Sequence, residues 1–201
     1  MTQNQSNAKY YDAVLKLRGY APKKADAEEK ALEVMGEYIA KYPRNAFPIR
    51  HVLNLVSGER FAKQARAYLV FMMAKGAPSA IKDLKSVFRN GAKSDIVEKE
   101  LEALLKEFRD CGSMDGKERD PSFELFALYF LAQTYDQRRK HEQALETLGD
   151  AIEHTPTMVE LYTLKAKILK HLGRLDEASD AFEVARKLDL ADRWLNAKSA
   201  K

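Results

Sequence analysis

Three features of this 201-residue chain predict an all-α solenoid of stacked helical hairpins. The first is an internal repeat at an offset of 34 residues: Leu131 returns as Lys165, Ala132 as Ala166, Ala144 as Ala178, Leu148 as Phe182 and Ala151 as Ala185. Small residues return as small ones, and bulky apolar residues mostly as bulky apolar ones. The second is composition: Gly and Pro number only 9 and 6, while the good helix formers Ala, Leu, Glu, Lys and Arg are abundant. The third is apolar spacing of three and four, the period of a helix with one buried face.

A period of 34 residues with this pattern is the signature of the tetratricopeptide repeat, a helix–turn–helix unit that stacks on its neighbours. Such solenoids hold a partner in a concave groove. The elements follow in order. Residues 1–9 read as a disordered lead-in. Tyr10 to Gly19 and Ala25 to Tyr42 read as a helix pair, with Pro22 in the connection and Pro43 closing the second helix. Leu15, Gly19, Ala31, Met35 and Pro43 fall at repeat positions, and small residues are needed where two helices touch. The next unit turns at Ser57-Gly58 and carries Ala65 and Leu69 on a helix from Glu59 to Lys75, stopped by Gly76 and Pro78. From Ser79 to Phe108 the repeat signature fails but helical spacing persists. Ile81, Leu84, Val87 and Phe88 form one stripe, and Leu101, Leu104, Leu105 and Phe108 another, which reads as an α-hairpin. Divergent helical hairpins thus extend over 10–110.

Residues 111–121 read as a polar loop, long for a helical connection and therefore a mobile insertion or a docking loop. Asp120-Pro121 supplies a cap and a first-turn proline. Two clear repeats then occupy 122–192. Leu128, Leu131, Ala132, Tyr135, Ala144, Leu148, Ala151 and Pro156 fill the first, and Tyr162, Ala166, Leu169, Ala178, Phe182 and Ala185 the second. Thr157 and Glu160 have capping-box spacing. Residues 193–201 read as the first helix of a further unit, cut short, which marks the chain as a piece of a longer protein.

The formal net charge of +4 is too mild for a bulk nucleic-acid binder and leaves room for a local anion site. The single cysteine, Cys111, permits no intramolecular disulfide and reads as a helix-end residue, in keeping with a reducing compartment. No apolar run reaches the roughly 18 residues that span a bilayer. Met1 to Asn7 lack the apolar core of a signal peptide, so a cytoplasmic setting is expected. Phosphate loops, paired-Cys metal motifs, G-x-S-x-G and H-E-x-x-H do not occur. His51, His141, His154 and His171 are scattered over several elements, with His141 and His154 read as surface residues near helix ends. The Arg/Gln-x-x-Gly-x-Gly/Ala turn of an acetyl-CoA-binding acyltransferase is also missing. The chain reads as non-catalytic and metal-free.

In a tetratricopeptide unit the first helix lines the groove. That frame puts Lys167, Lys170 and His171 on one groove face, continued by Arg174, with Trp194 and Ala197 in the next unit and Phe126, Tyr129, Gln133, Asp136 and Gln137 in the preceding one. The groove is basic at its C-terminal end and aromatic beside it. Spacing alone favours a solvated helix face for the cations, with an acidic protein partner or a small polyanion as the alternatives. Lys165, at a position usually apolar, snorkels or marks a departure from standard packing. Trp194 is either core or an exposed interface aromatic.

The run T-P-T-M-V-E-L-Y-T-L-K-A-K-I-L-K from Thr155 to Lys170, then His171 and Gly173, resembles the auxiliary subunit family of the NatA N-terminal acetyltransferase complex. So do A-D-R-W-L-N-A-K-S-A-K at Ala191 to Lys201, Y-P-R at Tyr42 to Arg44, L-N-L-V-S-G-E-R-F at Leu53 to Phe61, K-G-A-P at Lys75 to Pro78 and Y-F-L-A-Q-T-Y-D at Tyr129 to Asp136. The resemblance runs in unbroken order from about Tyr10 to the end. It implies a central fragment of a large solenoid that wraps a catalytic acetyltransferase subunit and shapes its site for small N-terminal residues exposed by methionine removal. It further implies association with the ribosome through the parent complex; from charge and apolar patterning, no direct nucleic-acid or membrane partner is expected. Inositol hexakisphosphate binds between the subunits in this family, on a basic motif that resembles Lys167, Lys170, His171, Arg193 and Lys198. The resemblance thereby reverses the preference for a solvated face. Trp194 stands where most relatives carry a Phe that packs on the catalytic subunit, with Tyr129 and Phe126 as further partner-facing aromatics. A general tetratricopeptide adaptor for a peptide tail is the alternative. Its chaperone-type version needs Lys and Asn at fixed groove positions that Gln133 and Asp136 do not supply.

Overall fold

The computed structural model describes residues 7–114 and 117–199, the side chains at 114, 198 and 199 excepted. The chain divides into two compact units, 1–100 and 101–201, with the boundary inside one long helix.

The first unit opens with α1 (Ala8–Leu17), which buries Tyr11 and Leu15. Asn7 caps it, its side chain accepting from the Lys9 N–H at 3.0 Å. The helix therefore starts inside the segment expected to be a disordered lead-in; residues 1–6 of that lead-in lie outside the described residues. Gly19, at φ +86°, turns the chain back, its N–H bonding the Lys16 carbonyl and that of Tyr20 the Leu15 carbonyl. Next come α2 (Ala27–Lys41), α3 (Ala46–Val52) and α4 (Gly58–Ala74). Ala31 and Ala65 are fully buried, the small residues the repeat pattern requires. Tyr11 joins α1 to its neighbours, edge-on to Tyr38 at 5.4 Å and stacked on Phe47 at 5.1 Å.

The hairpin expected over 79–108 is only half formed. Its first arm is a single turn, α5 (Ala80–Asp83), followed by a 3-10 turn at Val87–Arg89. Leu84 leaves the helical region at ψ 15°, which ends α5. Ile81, Leu84 and Val87 are nonetheless buried, so the apolar stripe is real although the long helix is not. The second arm is α6 (Gly91–Cys111), which crosses the unit boundary.

The second unit continues from Leu101. The segment expected as a plain loop contains a short antiparallel pairing of β1 (Ser113–Met114) with β2 (Lys117–Glu118). Then come α7 (Ser122–Gln137), α8 (His141–His154), α9 (Val159–His171), α10 (Leu175–Leu188) and α11 (Arg193–Ser199). Asp120 accepts from the Ser122 N–H at 2.8 Å, so the expected cap forms. The Thr157–Glu160 capping box does not. Met158 occupies the cap position without a side-chain bond, and the Thr163 hydroxyl takes the Glu160 carbonyl instead.

The repeated small residues lie where α7 meets α8 and α9 meets α10. Ala132, Ala144, Ala151, Ala166 and Ala185 are fully buried and Ala178 nearly so. Each hairpin turns through one left-handed residue, Arg139 at φ 61° and Gly173 at φ 77°. The turn bonds repeat with the same offset: Arg139 N–H to Asp136 C=O and Lys140 N–H to Tyr135 C=O, then Gly173 to Lys170 and Arg174 to Leu169. Lys165 is exposed, so the repeat departs from its apolar template there. No helix among the described residues is long and apolar enough to cross a membrane.

Candidate functional site

Asp136, in the last turn of α7, lies beneath the face of α9 that carries Lys167 and His171. Its side chain has no exposed surface, yet it is ionised and fully engaged. Lys167 donates from Nζ to Oδ2 at 2.7 Å. Nδ1 of His171 meets Oδ1 at 2.6 Å, and Nδ1 of His141 meets the same oxygen at 3.1 Å. Lys167 and His171 stand one helical turn apart on α9 and therefore share a face. His141 enters from the start of α8, and the two imidazole rings lie 5.3 Å apart. Burial would raise the Asp136 pKa, but the hydrogen bonds and charges of Lys167 and His171 outweigh it and hold the carboxyl below its usual range.

Two of the expected site residues, Lys167 and His171, are thus brought together around a shared carboxylate. Lys170 and Arg193 are exposed, and among the described residues no ion pair ties either to this cluster. Arg174 is committed elsewhere: Nε and Nη2 grip Glu177 at 2.6 and 2.5 Å. Lys198 sits on α11 by its backbone, while its side chain lies outside the described residues.

The aromatic residues separate. Trp194 is 53% exposed, its ring edge-on to Phe182 at 6.2 Å. Asp192 caps α11 by accepting from the Trp194 and Leu195 N–H groups, and Leu195, 2% exposed, anchors the helix so that Trp194 points outward. Phe126 is half-buried, 5.9 Å from the Phe130 ring. Tyr129 corrects the expectation of a partner-facing aromatic: it is 7% exposed, and burial raises its hydroxyl pKa, as in a core residue. His141 is the second correction. It is a half-buried member of the cluster rather than a surface residue, and its spacing of five from Asp136 was the available sequence signal.

Asp136, His141 and His171 offer three ligand atoms within 4.8 Å of one another, a donor set that suits a divalent transition metal. The Lys167 ammonium already brings the positive charge to the same carboxylate. Chemically, the arrangement is a cationic surface held in place by one internal anion.

Fold and site together define a helical-hairpin repeat protein with a basic face and an outward-facing tryptophan. A family model described as N-terminal acetyltransferase A, auxiliary subunit, matches residues 1–201. The chain belongs to that family. It is 32% identical to the N-terminal acetyltransferase A complex auxiliary subunit NAA15 of Arabidopsis thaliana, covering 100% of this chain and 23% of the relative. It is 35% identical to N-alpha-acetyltransferase 16, NatA auxiliary subunit, of Homo sapiens, covering 86% of this chain and 20% of the relative. The chain therefore spans less than a quarter of the length of these relatives. A chain in the solved structure of Naa15/Naa10 bound to HypK-THB matches with a TM-score of 0.87 and 34% identity, over 99% of this chain and 29% of that one.

Proposed function

We propose that this chain is part of a non-catalytic scaffold that binds and shapes the catalytic subunit of a NatA-type N-terminal acetyltransferase. The match over 99% of the chain to a chain from the Naa15/Naa10 structure carries this reading. The outward Trp194 supplies a contact for such a partner, with Phe126 beside the groove. Ribosome association through the parent complex and a cytoplasmic setting belong to the same reading.

The basic face is the proposed seat of inositol hexakisphosphate, held by Lys167, Lys170, His171, Arg193 and Lys198 between the two subunits. Converging cations suit phosphate oxygens, and a polyanion shared by two basic surfaces cancels their mutual repulsion. Asp136 fixes Lys167 and His171 but offsets part of their charge. Lys170 and Arg193 therefore provide much of the uncompensated attraction.

The test is size-exclusion co-elution with a catalytic acetyltransferase subunit, with and without inositol hexakisphosphate, followed by calorimetry of the assembled complex. Co-elution strengthened by the ligand is expected, and Lys167→Glu with Lys170→Glu should weaken ligand binding roughly a hundredfold, two charge-assisted contacts having been reversed. Unchanged ligand affinity in that variant overturns the site assignment. Failure to co-elute in either condition counts against the scaffold reading of this stretch.

A further inference from the structure

The first unit holds a basic cavity that the scaffold reading does not use. It has a volume of about 680 Å³, within the range of small-ligand pockets. Three helix ends converge on it: Lys41 from α2, Arg50 from α3 and Lys75 from the end of α4, with Arg44 from the turn between α2 and α3. A helix C-terminus tolerates a cation through its dipole, which accounts for each of the three singly. It does not account for their meeting at one cavity with Arg44. Asp83 is the only carboxylate among the lining residues, and it is engaged by Arg50, Nη1 to Oδ1 at 3.3 Å. Lys41, Arg44 and Lys75 make no ion pair among the described residues.

Aromatic rings lie against two of the four cations. Arg50 lies over the Phe47 ring at 5.0 Å and Lys41 over the Tyr42 ring at 5.5 Å. Phe47 is itself fixed by stacking on Tyr11, and Tyr68, also lining the cavity, donates to the Ala80 carbonyl at 3.1 Å. Two of the sequence motifs meet here, Tyr42-Pro43-Arg44 and Lys75-Gly76-Ala77-Pro78. Pro43 follows the end of α2, and Gly76, at φ 61°, turns the chain after α4. Guanidinium forks and ammonium groups around one open hollow match clustered phosphate oxygens better than the spaced carboxylates of an extended acidic peptide.

We propose that this cavity, lined by Lys41, Arg44, Arg50 and Lys75, is a binding site for a compact phosphate-bearing anion. The inference stands apart from the inositol hexakisphosphate assignment and from the scaffold role. Its test uses the full chain carrying Lys167→Glu and Lys170→Glu, which removes cations of the other basic face, and titrates inorganic tripolyphosphate by calorimetry at low salt. Binding should persist in that background and fall roughly tenfold or more on adding Arg44→Glu and Lys75→Glu, as reversal of two phosphate contacts requires. Both residues are exposed, so circular dichroism should show an unchanged fold. The charge-matched pair Lys23→Glu and Lys24→Glu, also exposed, should leave binding unchanged. A phosphoserine peptide whose binding depends on Arg44 and Lys75 supports the same chemistry supplied by a protein. Tripolyphosphate binding that is indifferent to Arg44 and Lys75, or that falls equally with the Lys23 and Lys24 pair, overturns the proposal. A glutamate-rich peptide that outcompetes tripolyphosphate does so as well.

Discussion

Asp136 decides how the basic face behaves, because it binds both Lys167 and His171 and has no exposed side-chain surface. A buried carboxylate that lost its partners would be costly, so Lys167 and His171 are structural before they are anything else. Asp136→Asn keeps the shape and removes the charge, and it should lower unfolding free energy at pH 7 by about 1.5–3 kcal/mol, the range for hydrogen bonds to a charged group. The carboxyl titrates below its ordinary value in the folded protein. Its contribution is therefore complete above the unfolded pKa of about 3.9 and disappears as pH falls through the lower folded value. Denaturant melts of both proteins should consequently differ at pH 7 and converge below about pH 4. Equal stability at pH 7 would mean that the carboxylate is not the anchor described.

At the scale of the element, the two turns of the second unit pose one geometric demand and meet it with different residues. Gly173 adopts its left-handed backbone freely, whereas Arg139 does so with a Cβ. Arg139→Gly should raise stability by about 0.5–1 kcal/mol, relief of the left-handed penalty exceeding the entropy that glycine adds to the unfolded chain. Thermal melts will check the sign. The hairpins themselves were legible because buried alanines recur at a fixed period, and a period is a local property of the chain. The arm before α6 was not. Ile81, Leu84 and Val87 have helical spacing, but a turn of helix followed by a 3-10 turn buries the same stripe. The capping box failed for a related reason: Thr157 and Glu160 have the right spacing, but the helix begins at Val159, one residue too late for it.

The whole molecule adds what no single helix encodes. The partners of Asp136 lie 5, 31 and 35 residues away, on two other helices. A groove frame read from the sequence put Asp136, Lys167 and His171 near one another without revealing that the first binds the other two, and it missed His141. The same frame turned Tyr129 outward although neighbouring helices enclose it, since a position on one helix does not report what packs against it. Trp194, which the sequence left open between core and interface, is exposed. In the assembled complex Trp194→Ala should weaken association with the catalytic subunit at least tenfold, roughly 1.4 kcal/mol. Its effect on the melting of the isolated chain should stay within about 0.5 kcal/mol. An unchanged dissociation constant would remove Trp194 from the interface. A free lysine samples many rotamers, and about 2 kcal/mol of entropy is at stake when it settles. Lys167 has already settled on Asp136 before any ligand arrives. A phosphate at the site proposed above would therefore dock onto a surface whose ordering took place during folding, and that part of the recognition would be set by the fold's own stability rather than by the ligand.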